Sequence, residues 1–100
     1  MKYNYSSTEV PLILIGGYLK DKIVRIKELI KENKKQNKIV GVLSSIETRE
    51  FYKEADFVLS PGSKNDLQVV ARNISRIIEE LNQKGVDIIL AETFPAKEID

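Results

Sequence analysis

Histidine and cysteine are both absent from these 100 residues. Without histidine the chain lacks the side chain that most often moves protons near neutral pH, and with it the commonest metal ligand. Without cysteine there is no disulfide framework and no thiolate to act as nucleophile or ligand. No apolar run approaches the roughly 20 residues of a membrane span, and no signal-peptide pattern opens the chain. Charge of one sign is lacking too: 16 basic and 15 acidic residues leave a net +1. No overall field therefore recruits nucleic acid or an anionic membrane. There are no internal repeats and no low-complexity tracts. Catalysis would have to rest on carboxylates, lysines or tyrosines, so the composition argues against a self-contained enzyme and fits a cytoplasmic protein with no metal site.

What is present is the pattern of one small α/β domain. Apolar residues make up 42% and charged residues 31% of the chain, ordinary values for a globular protein of this length. Residues 1–10 are polar and read as an arm or linker; residues 11–100 read as a single domain. Within it, Pro11-Leu12-Ile13-Leu14-Ile15-Gly16-Gly17 holds four consecutive aliphatic residues. Such a run cannot alternate between core and solvent, which predicts a central strand covered on both faces.

Leu19, Ile23, Ile26 and Ile30 then recur at helical spacing, with Val24 and Leu29 beside them. They predict an amphipathic helix over 21–35 with Asp21 as its N-cap and a lysine-rich end. Ile39-Val40-Gly41-Val42-Leu43 is a second strand, a short helical piece falls near 48–54, and Phe57-Val58-Leu59 is a third strand. Ser63-Lys64-Asn65-Asp66 has the capping-box form, which places a second long helix behind Ser63. Its apolar face is Leu67, Val70, Ala71, Ile74, Ile77, Ile78 and Leu81, and Gly85 stops it. Val86-Asp87-Ile88-Ile89-Leu90-Ala91 is the fourth strand. Alternating strands and helices predict a three-layer, Rossmann-like α/β domain with a mainly parallel sheet of four to five strands. The expected strand order is 3-2-1-4, with 2-1-3-4 as the alternative.

Ligands in such sheets bind beyond the carboxyl ends of the strands. Gly16-Gly17 follows the first strand but matches neither a dinucleotide nor a Walker loop, and reads as a turn. Gly62, Ser63 and Lys64 open the second helix, where backbone N–H groups and one ammonium suit an anion; a plain helix start is the simpler reading. Glu92, with no second carboxylate or base to pair with it, reads as a solvated strand end. Tyr3 and Tyr5 sit in the polar arm, where an aromatic ring can stack on a base or dock on a neighbour. The residues alone support a small-ligand or anion-binding α/β module, or a protein-interaction domain.

Three stretches carry a resemblance. Met1-Lys2-Tyr3-Asn4-Tyr5 before Pro11 is similar to an interdomain linker. Pro61-Gly62-Ser63-Lys64-Asn65-Asp66-Leu67 with Ala71, and Val86-Asp87-Ile88-Ile89-Leu90-Ala91-Glu92, follow in the same order and spacing. Together they resemble the C-terminal, Sua-five type domain of long-form threonylcarbamoyl-AMP synthases, with the linker that precedes it. The resemblance covers nearly the whole chain. In the linker the family's Arg-His-Tyr is replaced, so Tyr5 matches either the family's histidine or, with one residue deleted, its tyrosine. The family's glycine-rich and basic tail has no match after Glu92.

The resemblance implies an accessory or regulatory domain for tRNA threonylcarbamoyladenosine synthesis. Catalysis would belong to a separate YrdC-like domain, in cis or in trans, that uses ATP with magnesium, threonine and bicarbonate. No residue of this chain would be catalytic. Lys2, Tyr3 and Tyr5 would reach the nucleotide as the linker covers that active site. Direct contact with nucleic acid and membrane is not expected, and a homodimer is among the open readings.

Overall fold

The computed structural model describes residues 10–94. Four short strands and two long helices follow one another as β1 (Leu12–Ile15), α1 (Leu19–Lys35), β2 (Val40–Leu43), β3 (Phe57–Leu59), α2 (Leu67–Gln83) and β4 (Ile88–Glu92). A 3-10 turn, Arg49–Tyr52, lies between β2 and β3 where the short helical piece was expected. The strands form one four-stranded sheet in the order β1-β4-β2-β3, and every pairing is parallel.

Period-two alternation on the central strands divides the core into two layers. Val40 and Val42 of β2 and Ile88 and Leu90 of β4 meet Ile26 and Ile30 of α1, together with Ile15 and Tyr52. Leu43, Ile89 and Ala91 point the other way and meet Ile77 and Leu81 of α2, with Val86. The two helices thus cover opposite faces, giving the three-layer α/β domain. The β1–α1–β2 and β3–α2–β4 connections step across the sheet in opposite directions. Right-handed crossovers then require helices on opposite faces, as observed. Gly41 faces α2, where a Cβ would lie 3.1 Å from both Leu81 Cδ2 and Val86 Cγ1. A side chain there would hold the helix off the sheet.

Both expected strand orders are overturned. β4 inserts between β1 and β2, so β1 is an edge strand and β4 and β2 form the centre. All five residues of β4 and all four of β2 are buried, whereas only Ile15 of β1 is. The aliphatic run of β1 predicted cover on both faces; instead Leu12, Ile13 and Leu14 are 37%, 40% and 64% exposed. Aliphatic content marks a strand but does not say which strand the crossovers will place in the middle.

The helix starts also differ. α1 begins at Leu19 after Tyr18, whose side chain caps nothing, and Asp21 lies in the first turn, where its charge still suits the helix dipole. α2 is capped by Asp66, which accepts from the backbone N–H of Val69, three residues beyond the predicted cap Ser63. Ser63 Oγ accepts from Asn65 N in a local turn. Three expected core positions on the helices are exposed, Leu19 and Val24 of α1 and Ala71 of α2. The end of α2 is as predicted, with Gly85 at φ +79°.

Candidate functional site

The carboxyl ends of the strands carry most of the buried polar groups. Parity places Glu92 on the α1 face, continuing the series Ile88 and Leu90. It is only 3% exposed, which corrects its reading as a solvated end. Its Oε1 accepts from Ser45 N at 3.0 Å. Its Oε2 accepts from Thr48 Oγ1 and from Tyr52 OH, both at 2.6 Å. Ser45 Oγ and Thr48 Oγ1 are 3.1 Å apart. Burial first, then the hydrogen bond to Glu92 and its negative charge, push the Tyr52 phenol above its ordinary value. Charge-assisted bonds of this kind are the stronger class. The carboxylate therefore ties the loop after β2, and the 3-10 turn behind it, to the end of β4.

Lys22 stands at the same end. It stands outside the apolar spacing of α1, yet it is 6% exposed and its Nζ donates to the Thr93 carbonyl at 2.9 Å. Thr93 N and Oγ1 both donate to the Ile15 carbonyl, which closes the ends of β1 and β4 together.

A crevice opens in principle between β2 and β3, whose outgoing connections leave for opposite faces of the sheet. Here it is bridged. Ile46 N donates to the Gly62 carbonyl. Glu47 reaches across the gap, accepting from Ser63 Oγ and from Lys64 N. The Ser63 bond, followed by that from Lys64 N, holds the Glu47 carboxyl below the usual carboxylate range. The Gly62-Ser63-Lys64 segment thus grips the chain's own carboxylate.

On the α2 face lies a different kind of feature, an open apolar groove of about 550 Å3. Among the described residues it is lined chiefly by Leu14 of β1, Leu67, Ala71 and Ile74 of α2, and Phe94. No three acidic groups come together among the described residues to hold a metal, and no helix there is long and apolar enough to cross a membrane. Lys2, Tyr3 and Tyr5 lie outside the described residues. Val10, the first described residue, packs on the α2-side core, so the chain enters the domain at the amino end of β1. That is the opposite end of the sheet from Glu92 and the Gly62-Ser63-Lys64 loop.

Sequence reasoning singled out Gly62, Ser63 and Lys64 but missed their partner Glu47. It also missed the cluster of Ser45, Thr48 and Tyr52 around Glu92. One signal was available: Thr48 and Tyr52 are four apart, so a helical turn puts both hydroxyls on one side.

Comparison with known proteins connects this geometry to a family. The family model described as threonylcarbamoyl-AMP synthase, C-terminal domain, matches residues 1–100. A threonylcarbamoyl-AMP synthase of Bacillus subtilis is 34% identical over 95 residues, 95% of this chain and 26% of the relative. One from Pyrococcus abyssi is 34% identical over 93 residues, 92% of this chain and 25% of the relative. Among solved structures, the C-terminal Sua5 domain from Pyrococcus horikoshii superposes with a TM-score of 0.72 at 29% identity, covering 83% of this chain and 74% of that one. Pyrococcus abyssi Sua5 complexed with L-threonine gives a TM-score of 0.74 at 30% identity, covering 95% of this chain and 26% of that one. The chain spans about a quarter of the length of the curated relatives it matches.

Proposed function

Because this chain belongs to the family of threonylcarbamoyl-AMP synthase C-terminal domains, we propose that it is the accessory, regulatory part of an L-threonylcarbamoyladenylate synthase that serves tRNA threonylcarbamoyladenosine modification. In this reading it packs on a separate YrdC-like domain, which joins threonine, bicarbonate and ATP into the adenylate and releases pyrophosphate. The supporting observation is the match of residues 1–100 to that domain while the chain spans only about a quarter of its relatives. The geometry agrees with a supporting role. The carboxylates at the carboxyl edge, Glu92 and Glu47, are engaged by internal donors and hold loops together. No step is assigned to a metal in this chain; magnesium would accompany the ATP in the catalytic domain.

The part proposed to touch the substrate is the arm. Lys2 can meet a phosphate, and Tyr3 or Tyr5 can stack on a base or donate a hydroxyl. In a fusion with the catalytic domain of a relative, the combined change Lys2→Ala, Tyr3→Ala and Tyr5→Ala should erase the stimulation of adenylate synthesis that the wild-type arm gives. Folding stability should stay within about 0.5 kcal/mol, as for substitutions away from a core. Undiminished stimulation by the triple variant, measured as adenylate formed at limiting ATP, would reject these three residues as the nucleotide contacts.

A second reading, an anion-binding module on Gly62, Ser63 and Lys64, is favoured by the carboxylate this loop already holds. An external phosphate would have to replace Glu47. Glu47→Ala should therefore increase the rise in Tm produced by millimolar phosphate, because a native-state ligand stabilises by mass action. No rise in either protein would eliminate this reading.

A further inference from the structure

We propose that the catalytic domain packs on the amino end of this sheet, on the α1–β2 and α2–β4 turns around Ile39. The carboxyl edge, where α/β domains usually meet their ligands, then faces away from it. The inference rests on the reading given above, in which Lys2, Tyr3 and Tyr5 of the arm touch the nucleotide.

Reach is the first observation. Val10 is anchored on the α2-side core, just before β1. Tyr5 comes five residues earlier, and a fully extended chain spans at most about 3.6 Å per residue. The Tyr5 backbone therefore lies within about 18 Å of Val10, and that of Lys2 within about 29 Å. From Val10 to Ile15, the carboxyl end of β1, the strand rise of about 3.3 Å per residue covers about 17 Å. β1 runs away from the amino end, so the arm departs in the opposite direction. To bring Tyr5 level with the carboxyl edge, the arm would have to reverse and lie fully stretched along the domain. No length would remain to enter a neighbour. Beyond the amino end the same residues extend outward freely, so a nucleotide touched by all three is held beside that end.

The surface found there is the second observation. All strands are parallel, and each long helix carries the chain back, so both helices finish at the amino end. Their two following turns are joined. Ile39 N donates to Asp87 Oδ2 at 2.8 Å, and Asp87 N donates to the Ile39 carbonyl at 2.7 Å. This exchange fixes the backbone of Ile39 while its side chain stays 42% exposed. An aliphatic anchor on a rigid support is what the centre of an interface needs. Lys38 and Lys84, one in each turn, are exposed as well. The partner surface that fits is an apolar pocket with carboxylates on its rim. At the other end of the sheet, Glu47 and Glu92 are already engaged by internal donors.

The experiment uses the full 100-residue chain fused to a relative's catalytic domain freed of its own cysteines. This chain has no cysteine, so Lys38→Cys and Tyr18→Cys each give one attachment point for a nitroxide label. Lys38 lies at the amino end, and Tyr18 follows β1 at the carboxyl end, 84% exposed. Pulsed electron paramagnetic resonance then reads the distance from each label to manganese bound with ATP in place of magnesium. The Lys38 label should be nearer by about 10 Å or more, since the ends of a strand of this length stand about 17 Å apart. Ile39→Glu should lower adenylate synthesis by the fusion at least about fivefold, as for loss of an interface anchor. Lys38→Glu should act in the same direction, and Tyr18→Glu should leave synthesis unchanged. A Tyr18 label as near to the manganese as the Lys38 label would overturn the proposal. So would full synthesis by both Ile39→Glu and Lys38→Glu. The triple arm variant fails separately: undiminished stimulation there removes the nucleotide contacts, while the two distances still decide the surface.

Discussion

Glu92→Ala should destabilise the domain by about 3–5 kcal/mol, a large part of the roughly 5–15 kcal/mol that holds a domain of this kind together. The substitution removes the acceptor shared by Ser45 N, Thr48 Oγ1 and Tyr52 OH. Ser45 N and Tyr52 OH would then be stranded, and Thr48 Oγ1 left with only Ser45 Oγ, at a site where Ser45, Thr48 and Tyr52 are all essentially buried. Each unsatisfied buried group costs about 1–3 kcal/mol, with some relief as the loop relaxes. Tyr52→Phe takes away one bond of the three and should cost about 1.5–3 kcal/mol, the range for bonds to a charged group. Denaturant midpoints at unchanged m-value are the check. Midpoints within about 0.5 kcal/mol of wild type for Glu92→Ala would contradict the cluster.

The same cluster predicts a pH dependence. The folded-state pKa of Tyr52 is raised above its ordinary 10.0. Its contribution is therefore fully present below about pH 10, the value in the unfolded chain. It is lost progressively as pH rises through the folded value, because the unfolded phenol ionises first. Alkaline unfolding should be less steep in Tyr52→Phe than in wild type.

Leu81→Ala should cost about 2–5 kcal/mol, by loss of apolar burial and by the cavity left behind. Leu81 is completely buried beneath α2 and touches the backbone face of Gly41. That contact makes the site informative as a pair. Gly41→Ala alone forces a methyl to within 3.1 Å of Leu81 Cδ2 and Val86 Cγ1, and overpacking of this kind costs about 1–3 kcal/mol. In the double variant the new methyl faces the space vacated by Leu81, and only Val86 still crowds it. The two costs should therefore be sub-additive by more than about 0.5 kcal/mol, as for residues in direct contact. Strict additivity would mean that α2 does not rest on β2 at Gly41.

How far the sequence reached can be seen element by element. Each strand and helix was legible, because aliphatic runs and three- and four-residue spacing are local properties of the chain. The strand order was not. β1, β2 and β4 are all mainly aliphatic, and the centre went to β4 because α2 carries the chain back over β2, a long-range outcome without a local signature. The Ser63 capping box shows a similar limit. Ser63 turned to Asn65 N and Glu47, and Asp66 took the cap. Glu92 was misread because a carboxylate after an aliphatic run looks like a strand leaving the core. Its donors Ser45, Thr48 and Tyr52 are 40 or more positions away, and only the β2–β4 pairing brings them together. The burial of Lys22 was not legible for the same reason, its carbonyl partner being 71 positions distant. The family pattern in the linker and around Gly62 and Glu92 reached further than the physical reading of single residues did.

The central proposal is that this chain supports a synthase without performing the synthesis itself. The direct measurement is threonylcarbamoyl-adenylate formed from ATP, threonine and bicarbonate by three samples: this chain, a relative's catalytic domain, and the two fused through residues 1–10. The account predicts no product above background from the chain alone, and more product from the fusion than from the catalytic domain by itself. Adenylate made by the chain alone, or a fusion no more active than the isolated catalytic domain, would contradict it.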